Sequence, residues 1–181
     1  MGKLDNKRIA ILVANGFEQV ELTGPKEALE KAGADTQIVS IEQEKVTAWD
    51  RTNWGEEFQV DVTIEKASAQ DFDGLVLPGG QLNPDFLRVN EQAIQFVREF
   101  DSQEKPIAAI CHGPWTLIEA DLVRNKRMTS YPSIKTDLKN AGADWVDEEV
   151  VIDGRLITSR KPDDIPAFNG AIINAFEEVP A

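Results

Sequence analysis

One cysteine and one histidine occur among the 181 residues of this chain, and they stand side by side as Cys111 and His112. They close the apolar run Pro106-Ile107-Ala108-Ala109-Ile110 and precede Gly113-Pro114 and Thr116-Leu117-Ile118-Glu119-Ala120. The run reads as a short buried strand, and the residues after it as a helix start with proline where a helix tolerates it. A reactive side chain between small residues at a strand-to-helix turn is a nucleophile elbow, the thiol counterpart of the Gly-x-Ser-x-Gly arrangement. Such a turn projects the sulfur from the sheet edge. The dipole of the following helix favours a thiolate, so the sequence predicts a lowered thiol pKa. The competing interpretation is a structural cysteine, since free cysteine is among the most buried residue types.

Two other segments carry chemistry that such a sulfur could use. Glu18, in Asn15-Gly16-Phe17-Glu18, is a carboxylate in an apolar, glycine-bearing turn and not on a charged helical face. Brought to the sulfur, it could share or accept a proton; otherwise it is a first-turn acid that favours the next helix dipole. Gly79-Gly80 follows Leu75-Val76-Leu77-Pro78. Without side chains, its N–H groups could approach an oxyanion, with the N–H of His112 as second donor. The same pair also suits a tight turn that needs positive φ.

These segments need strands to hold them, and the chain supplies alternating strands and helices. Arg8 to Val13 is continuously apolar after its first residue, as a central parallel strand requires. A helix over Val20 to Lys31 follows, which Gly24-Pro25 is expected to bend or restart. Ala32-Gly33-Ala34-Asp35 ends it, and the same four residues recur at 141–144 after a helix over Ile134 to Asn140; in both, glycine suits the position just past a helix. Residues 45 to 64 alternate as a hairpin would, from Val46 to Trp49 and from Phe58 to Thr63, with the turn expected at Asn53-Trp54-Gly55. Asn90 caps a helix with Ala93, Ile94, Val97 and Phe100 on one face, and Ser133 is expected to cap another. A hairpin turns through Asp153-Gly154, and a last helix aligns Phe168, Ile172, Ala175 and Phe176. The pattern predicts one α/β domain over residues 1–181, with a mostly parallel sheet and helices on both faces. In such open sheets the site forms beyond the carboxyl ends of the strands, where the three segments above all lie.

Composition narrows the rest. A net charge of −13 with no stripe of lysine and arginine argues against a surface built for nucleic-acid phosphates. No apolar run approaches the ~20 residues of a membrane span, and the charged start leads directly into a strand, unlike a signal peptide. The myristoylation pattern fails because position 6 is Asn. A single cysteine excludes an internal disulfide and suits a reducing cytoplasm. One Cys and one His cannot close a zinc site, and Gly79-Gly80 is no dinucleotide loop, so neither metal nor cofactor is expected.

Taken together, Gly16-Phe17-Glu18-x-x-Glu21-Leu22, Leu75-Val76-Leu77-Pro78-Gly79-Gly80, Ile110-Cys111-His112-Gly113-Pro114, and Asp144-Trp145-Val146-Asp147 with Val150-Val151-Ile152-Asp153-Gly154 resemble the PfpI-type intracellular cysteine peptidases. That family lies within the glutamine-amidotransferase-like superfamily that includes the Parkinson-associated deglycase. Asn83-Pro84-Asp85-x-Leu87-Arg88 and Thr158-Ser159-Arg160 look most like its bacterial general-stress branch. The resemblance implies a flavodoxin-like three-layer sandwich assembling as dimers or hexamers. It also implies Cys111 as nucleophile, Glu18 near the thiol, His112 as base, and a third, acidic member supplied across a subunit interface. The matching acid here is Asp85, one methylene shorter than the family's glutamate; within Asn83-Pro84-Asp85 it also reads as a helix-start acid. Amidotransferase relatives use a histidine distant from the cysteine, which this chain lacks.

The expected function is attack by Cys111 on an electrophilic carbon, in peptide-bond hydrolysis, repair of glyoxal- or methylglyoxal-derived protein adducts, or hydration of the free aldehyde. Aldehyde and glycation detoxification is the favoured role. The alternative is a redox-sensing or chaperone-like stress protein whose Cys111 is oxidised instead of turning over substrate.

Overall fold

The computed structural model describes residues 2–180. The apolar run after Arg8 becomes β1 (Arg8–Val13), with its last five residues buried. Parallel neighbours flank it on both sides: β2 (Asp35–Ser40), and β6 (Gly74–Leu77), which pairs in turn with β7 (Ile107–Ile110). Beyond β7 lies β11 (Leu156–Ser159), parallel to it, and then β10 (Val150–Asp153), antiparallel to β11 through the Gly154 turn. With β5 (Val62–Thr63) beside β2, the sheet order is β10-β11-β7-β6-β1-β2-β5. The carboxyl ends of β1, β6 and β7 therefore emerge next to one another.

Alternation along each strand divides the core into two layers, one on each face of the sheet. Ala10 and Leu12 of β1, with Leu75, Leu77 and Ala109, face one layer. Helix α2 (Leu82–Arg88), α3 (Glu91–Ser102), α4 (Pro114–Glu119) and α5 (Lys135–Asn140) cover it, contributing Leu87, Phe96, Phe100, Leu117 and Leu138. Ile9, Ile11 and Val13, with Val76, Ala108 and Ile110, face the other. There α1 (Gln19–Lys31) and α6 (Ile165–Glu177) supply Leu22, Leu29, Phe168, Ile172 and Phe176. The result is the expected three-layer α/β sandwich. Two short pairs stand outside the main sheet: β3 (Lys45–Asp50) with β4 (Asn53–Gln59), and β8 (Arg127–Met128) with β9 (Asp144–Trp145).

Four local expectations need correction. Gly24-Pro25 does not restart the helix: α1 runs unbroken over Gln19–Lys31 with Pro25 on its buried side, and Asn169 Nδ2 of α6 donates to the Gly24 carbonyl at 3.3 Å beside it. The hairpin turns at Arg51-Thr52, with Arg51 at φ 59°, and not at Asn53-Trp54-Gly55, which lie within β4. Pairing of Trp49 with Trp54, ring centroids 5.4 Å apart, sets that register. Val62 and Thr63 leave the hairpin and join the main sheet as β5. Ser133 caps no helix; it sits within a 3₁₀ turn over Pro132–Ile134, and its hydroxyl is used elsewhere. By contrast, Asn90 caps α3 as expected, its Oδ1 accepting from Ala93 N–H at 2.9 Å.

Candidate active site

Cys111 follows β7 directly and takes φ 62°, a left-handed conformation uncommon for any residue but glycine. Surrounding contacts over-determine this strained turn: Cys111 N–H donates to Ser159 O at 3.0 Å, Tyr131 N–H to Cys111 O at 2.9 Å, and Gly113 N–H to Ile110 O at 2.9 Å. The expected strand-to-helix elbow is thus formed, with α4 beginning at Pro114. The sulfur lies 3.3 Å from His112 Nδ1, and Cys111 as a whole is only 7% exposed.

The loops after β1 and β6 converge on the elbow. Asn83, fully buried at the start of α2, clamps them together. Its Oδ1 accepts from Ala14 N–H at 2.7 Å, and its Nδ2 donates to Pro78 O at 2.9 Å and Gly79 O at 3.0 Å. The clamp works only because residues 79 and 80 are glycines. A Cβ at Gly79 would stand 2.8 Å from Cys111 Cβ, Glu21 Oε1 and His112 N, and one at Gly80 would stand 2.5 Å from the Gly16 carbonyl oxygen. Gly80 also holds φ +77°.

The carboxyl beside the sulfur belongs to Glu21, not to Glu18. Glu21 is fully buried on the core side of α1, accepts from Gly79 N–H at 3.0 Å through Oε1, and lies against the Cys111 thiol. Among the described residues Oε2 is buried without a partner of good hydrogen-bond geometry. Burial pushes Glu21 up to about 8, against the opposing Gly79 N–H, so the carboxyl is largely neutral at pH 7. Glu18, which was expected at the thiol, sits at the residue preceding α1. Its Oε1 accepts from Arg51 N–H at 3.1 Å at the mouth of the site, and partial burial raises it. The two carboxyls differ because position 18 precedes the helix while position 21 falls on its buried stripe with Leu22, Pro25 and Leu29.

The expectation of a lowered thiol pKa is also overturned. Burial, and next the charge of Glu21, pushes Cys111 up, against the Gly80 and His112 N–H groups that face the sulfur. Only six residues of α4 stand behind that N-terminus, and desolvation outweighs them. Gly79 cannot serve as an oxyanion donor, because its N–H is already held by Glu21; Gly80 and His112 keep theirs toward the sulfur.

Burial likewise holds His112 below the usual imidazole range, opposed by the charge of Asp137. Its ring stacks on Tyr131 with centroids 5.0 Å apart and meets Trp115 edge-on at 5.1 Å. Nε2 lies 3.3 Å from Ser133 Oγ. Asp85, the expected third acid, does not join His112 within the chain: its Oδ1 accepts from Arg88 at 2.6 Å, and the Arg88 guanidinium sits 4.6 Å from the Trp115 ring centroid. Outside the sulfur lies a cleft of about 650 Å³ whose walls include Glu18, Trp49, Arg51, Leu82 and Tyr131. Among the described residues no cluster of His, Cys, Asp and Glu could hold a metal ion, and no helix is long and apolar enough to cross a membrane. Sequence reasoning missed Glu21, Tyr131 and Ser133. Only Glu21 left a signal, a carboxylate in phase with the apolar stripe of its helix.

Fold and site define a mostly parallel α/β sandwich with a cysteine elbow beyond the carboxyl ends of its central strands. The sequence pattern of the DJ-1/PfpI family matches residues 7–175, and the chain belongs to that family. It is 44% identical over 161 residues to a Pyrococcus horikoshii protein named as a deglycase, covering 89% of this chain and 94% of that one. It is 43% identical over 164 residues to general stress protein 18 of Bacillus subtilis, covering 90% and 94%. The crystal structure of a two-domain Anabaena variabilis protein with DJ-1/ThiJ/PfpI-like and ferritin-like domains matches with a TM-score of 0.87 and 39% identity, over 93% of this chain and 48% of that one.

Proposed function

We propose that this protein is a cysteine-dependent hydrolase of stress conditions that removes glyoxal- and methylglyoxal-derived adducts from protein groups, with Cys111 as nucleophile. The observation that carries this is the strained Cys111, its sulfur 3.3 Å from His112 Nδ1 with the Glu21 carboxyl against it, at the floor of an open cleft. The thiol proton passes to Nδ1, and the sulfur attacks the adduct's carbonyl carbon. As the C–S bond forms, the carbonyl electron pair moves onto oxygen, toward the N–H groups of Gly80 and His112. In an aminocarbinol adduct the imidazolium protonates that oxygen, the neighbouring carbinol gives up its O–H proton to the amine nitrogen as its C–N bond breaks and the amine departs, and reversal of the thiol addition frees the dicarbonyl, which water hydrates. Glu21, neutral at pH 7, adds no second negative charge beside the sulfur. The resemblance to a protein named as a deglycase supports adduct removal; peptide-bond hydrolysis uses the same groups, and a Bacillus subtilis relative 42% identical over 169 residues is named as a putative cysteine protease.

This proposal includes a homo-oligomer, dimer or hexamer, in which Asp85 of a second subunit approaches the outward side of His112. The decisive assay follows turnover of methylglyoxal-modified peptide, free methylglyoxal and an unmodified peptide reporter. Cys111→Ser is expected to lose at least about 10³-fold in kcat while remaining folded. Turnover that survives the substitution, or peroxide oxidation of Cys111 without turnover of any substrate, refutes it; the second result establishes the redox-sensing alternative.

A further inference from the structure

We infer that Ser133 is a positioning residue for His112, holding the imidazole with its Nδ1 lone pair toward the Cys111 sulfur. The inference rests on the proposed hydrolase chemistry for its consequence in catalysis, and on the ring's surroundings for everything else. Tyr131 lies against one face of the imidazole at an interplanar angle of 25°, and Trp115 meets the ring at 73°. These contacts fix the plane of the ring. They do not fix which edge faces the sulfur, because rotating the imidazole by half a turn keeps the plane and exchanges nitrogen for carbon at both ends. Polar partners decide that, and two are present: Sγ at 3.3 Å from Nδ1 and Ser133 Oγ at 3.3 Å from Nε2.

The same pair of contacts accommodates the tautomer that the reaction needs. A neutral imidazole carries one N–H, and a protonated thiol needs an acceptor. When Nε2 carries the hydrogen and donates it to Ser133 Oγ, Nδ1 is free to accept from the thiol. After the thiol proton has moved to Nδ1, the imidazolium still donates Nε2–H to the same oxygen, so one hydrogen bond serves both states. Ser133 is built for this use. Pro132 opens the rigid turn that carries it, Ile134 N–H closes that turn on Tyr131 O at 3.1 Å, and Tyr131 N–H ties the segment to the Cys111 carbonyl at 2.9 Å. The hydroxyl has no other hydrogen-bond partner among the described residues and caps no helix.

Because His112 is the only histidine, its two ring nitrogens give unambiguous signals in ¹⁵N NMR of the uniformly labelled protein. The parent is expected to show a protonated Nε2 and an unprotonated Nδ1. Ser133→Ala should convert this to an averaged mixture of tautomers. It should also lower kcat about 10-fold with little change in KM, the effect of removing one hydrogen bond to a charged group. Ser133→Thr, which keeps a hydroxyl, should restore both. Unchanged ring-nitrogen signals in Ser133→Ala overturn the inference, as does a Thr variant no better than Ala. Should the parent turn over no substrate at all, the hydrolase proposal falls while the nitrogen signals still decide the role of Ser133.

Discussion

Glu21→Gln tests whether a neutral carboxyl lies against the Cys111 thiol. The glutamine is isosteric: its carbonyl oxygen can keep the hydrogen bond from Gly79 N–H, and its amide can donate toward the sulfur. What it removes is a titration. In the unfolded chain Glu21 loses its proton near its ordinary value of 4.5, whereas burial in the folded protein delays that loss to about 8. Between those values the folded state binds more protons than the unfolded state, so stability falls as pH rises. At about 1.36 kcal/mol per pH unit, the whole effect is of order 5 kcal/mol, with roughly 3 kcal/mol already lost by pH 7. Glu21 is fully buried, so solvent screening does not reduce this. His112 works with the opposite sign. Its folded pKa lies below 6.5, so its contribution grows as pH rises to that value and then levels off. Comparing parent with variant cancels that term. Urea denaturation at pH 5, 6, 7, 8 and 9 should show the stability of the parent relative to the Gln variant falling steadily up to about pH 8. The Gln variant should exceed the parent above pH 7. A variant that weakens with pH as steeply as the parent would refute a buried, neutral Glu21.

Two further outcomes separate the remaining acids. Glu18→Gln should leave the iodoacetamide alkylation rate of Cys111 within about twofold of the parent, because Glu18 is bonded to Arg51 N–H and acts on the sulfur only through Glu21; a large change would return Glu18 to the thiol. If a second subunit completes the site, mixing inactive Cys111→Ser with Asp85→Asn after dissociation and reassembly should recover part of the parent kcat; a fully active Asp85→Asn rules out that sharing.

Strands and the elbow were legible in the sequence because their determinants are local. Continuous apolar runs mark β1, β6 and β7, and small residues around Cys111 allow the turn that Ile110, Gly113 and Ser159 then hold. Which carboxylate reaches the sulfur was not local. Glu18 and Glu21 are three residues apart, and only the docking of α1 against α6 and the sheet turns position 21 inward. The thiol's pKa was misjudged for a related reason: a helix N-terminus can be seen in sequence, but the depth of burial that outweighs it cannot. Ser133 reads as a cap because serine before a helix usually is one; its use by His112 depends on the long-range tie between Tyr131 and Cys111.

A high thiol pKa and a nucleophilic role for Cys111 are consistent once the destination of the proton is considered. Titration against bulk water would leave a net negative charge in a buried site beside Glu21, and burial penalises that charge. Transfer to Nδ1, 3.3 Å away, leaves the net charge of the site unchanged and creates a close ion pair instead. Two features lower the cost of that pair in opposite places. A neutral Glu21 keeps a competing negative charge from the sulfur, and the N–H groups of Gly80 and His112 already face it. On the far side of the imidazole, Ser133 Oγ can take the Nε2 hydrogen, and the charge of Asp137 favours the cation. Under the proposed chemistry the reactive state is not a standing thiolate but one reached when substrate fills the cleft and excludes water, which strengthens each of these interactions. Alkylation of the free protein should therefore be slow even where turnover is fast.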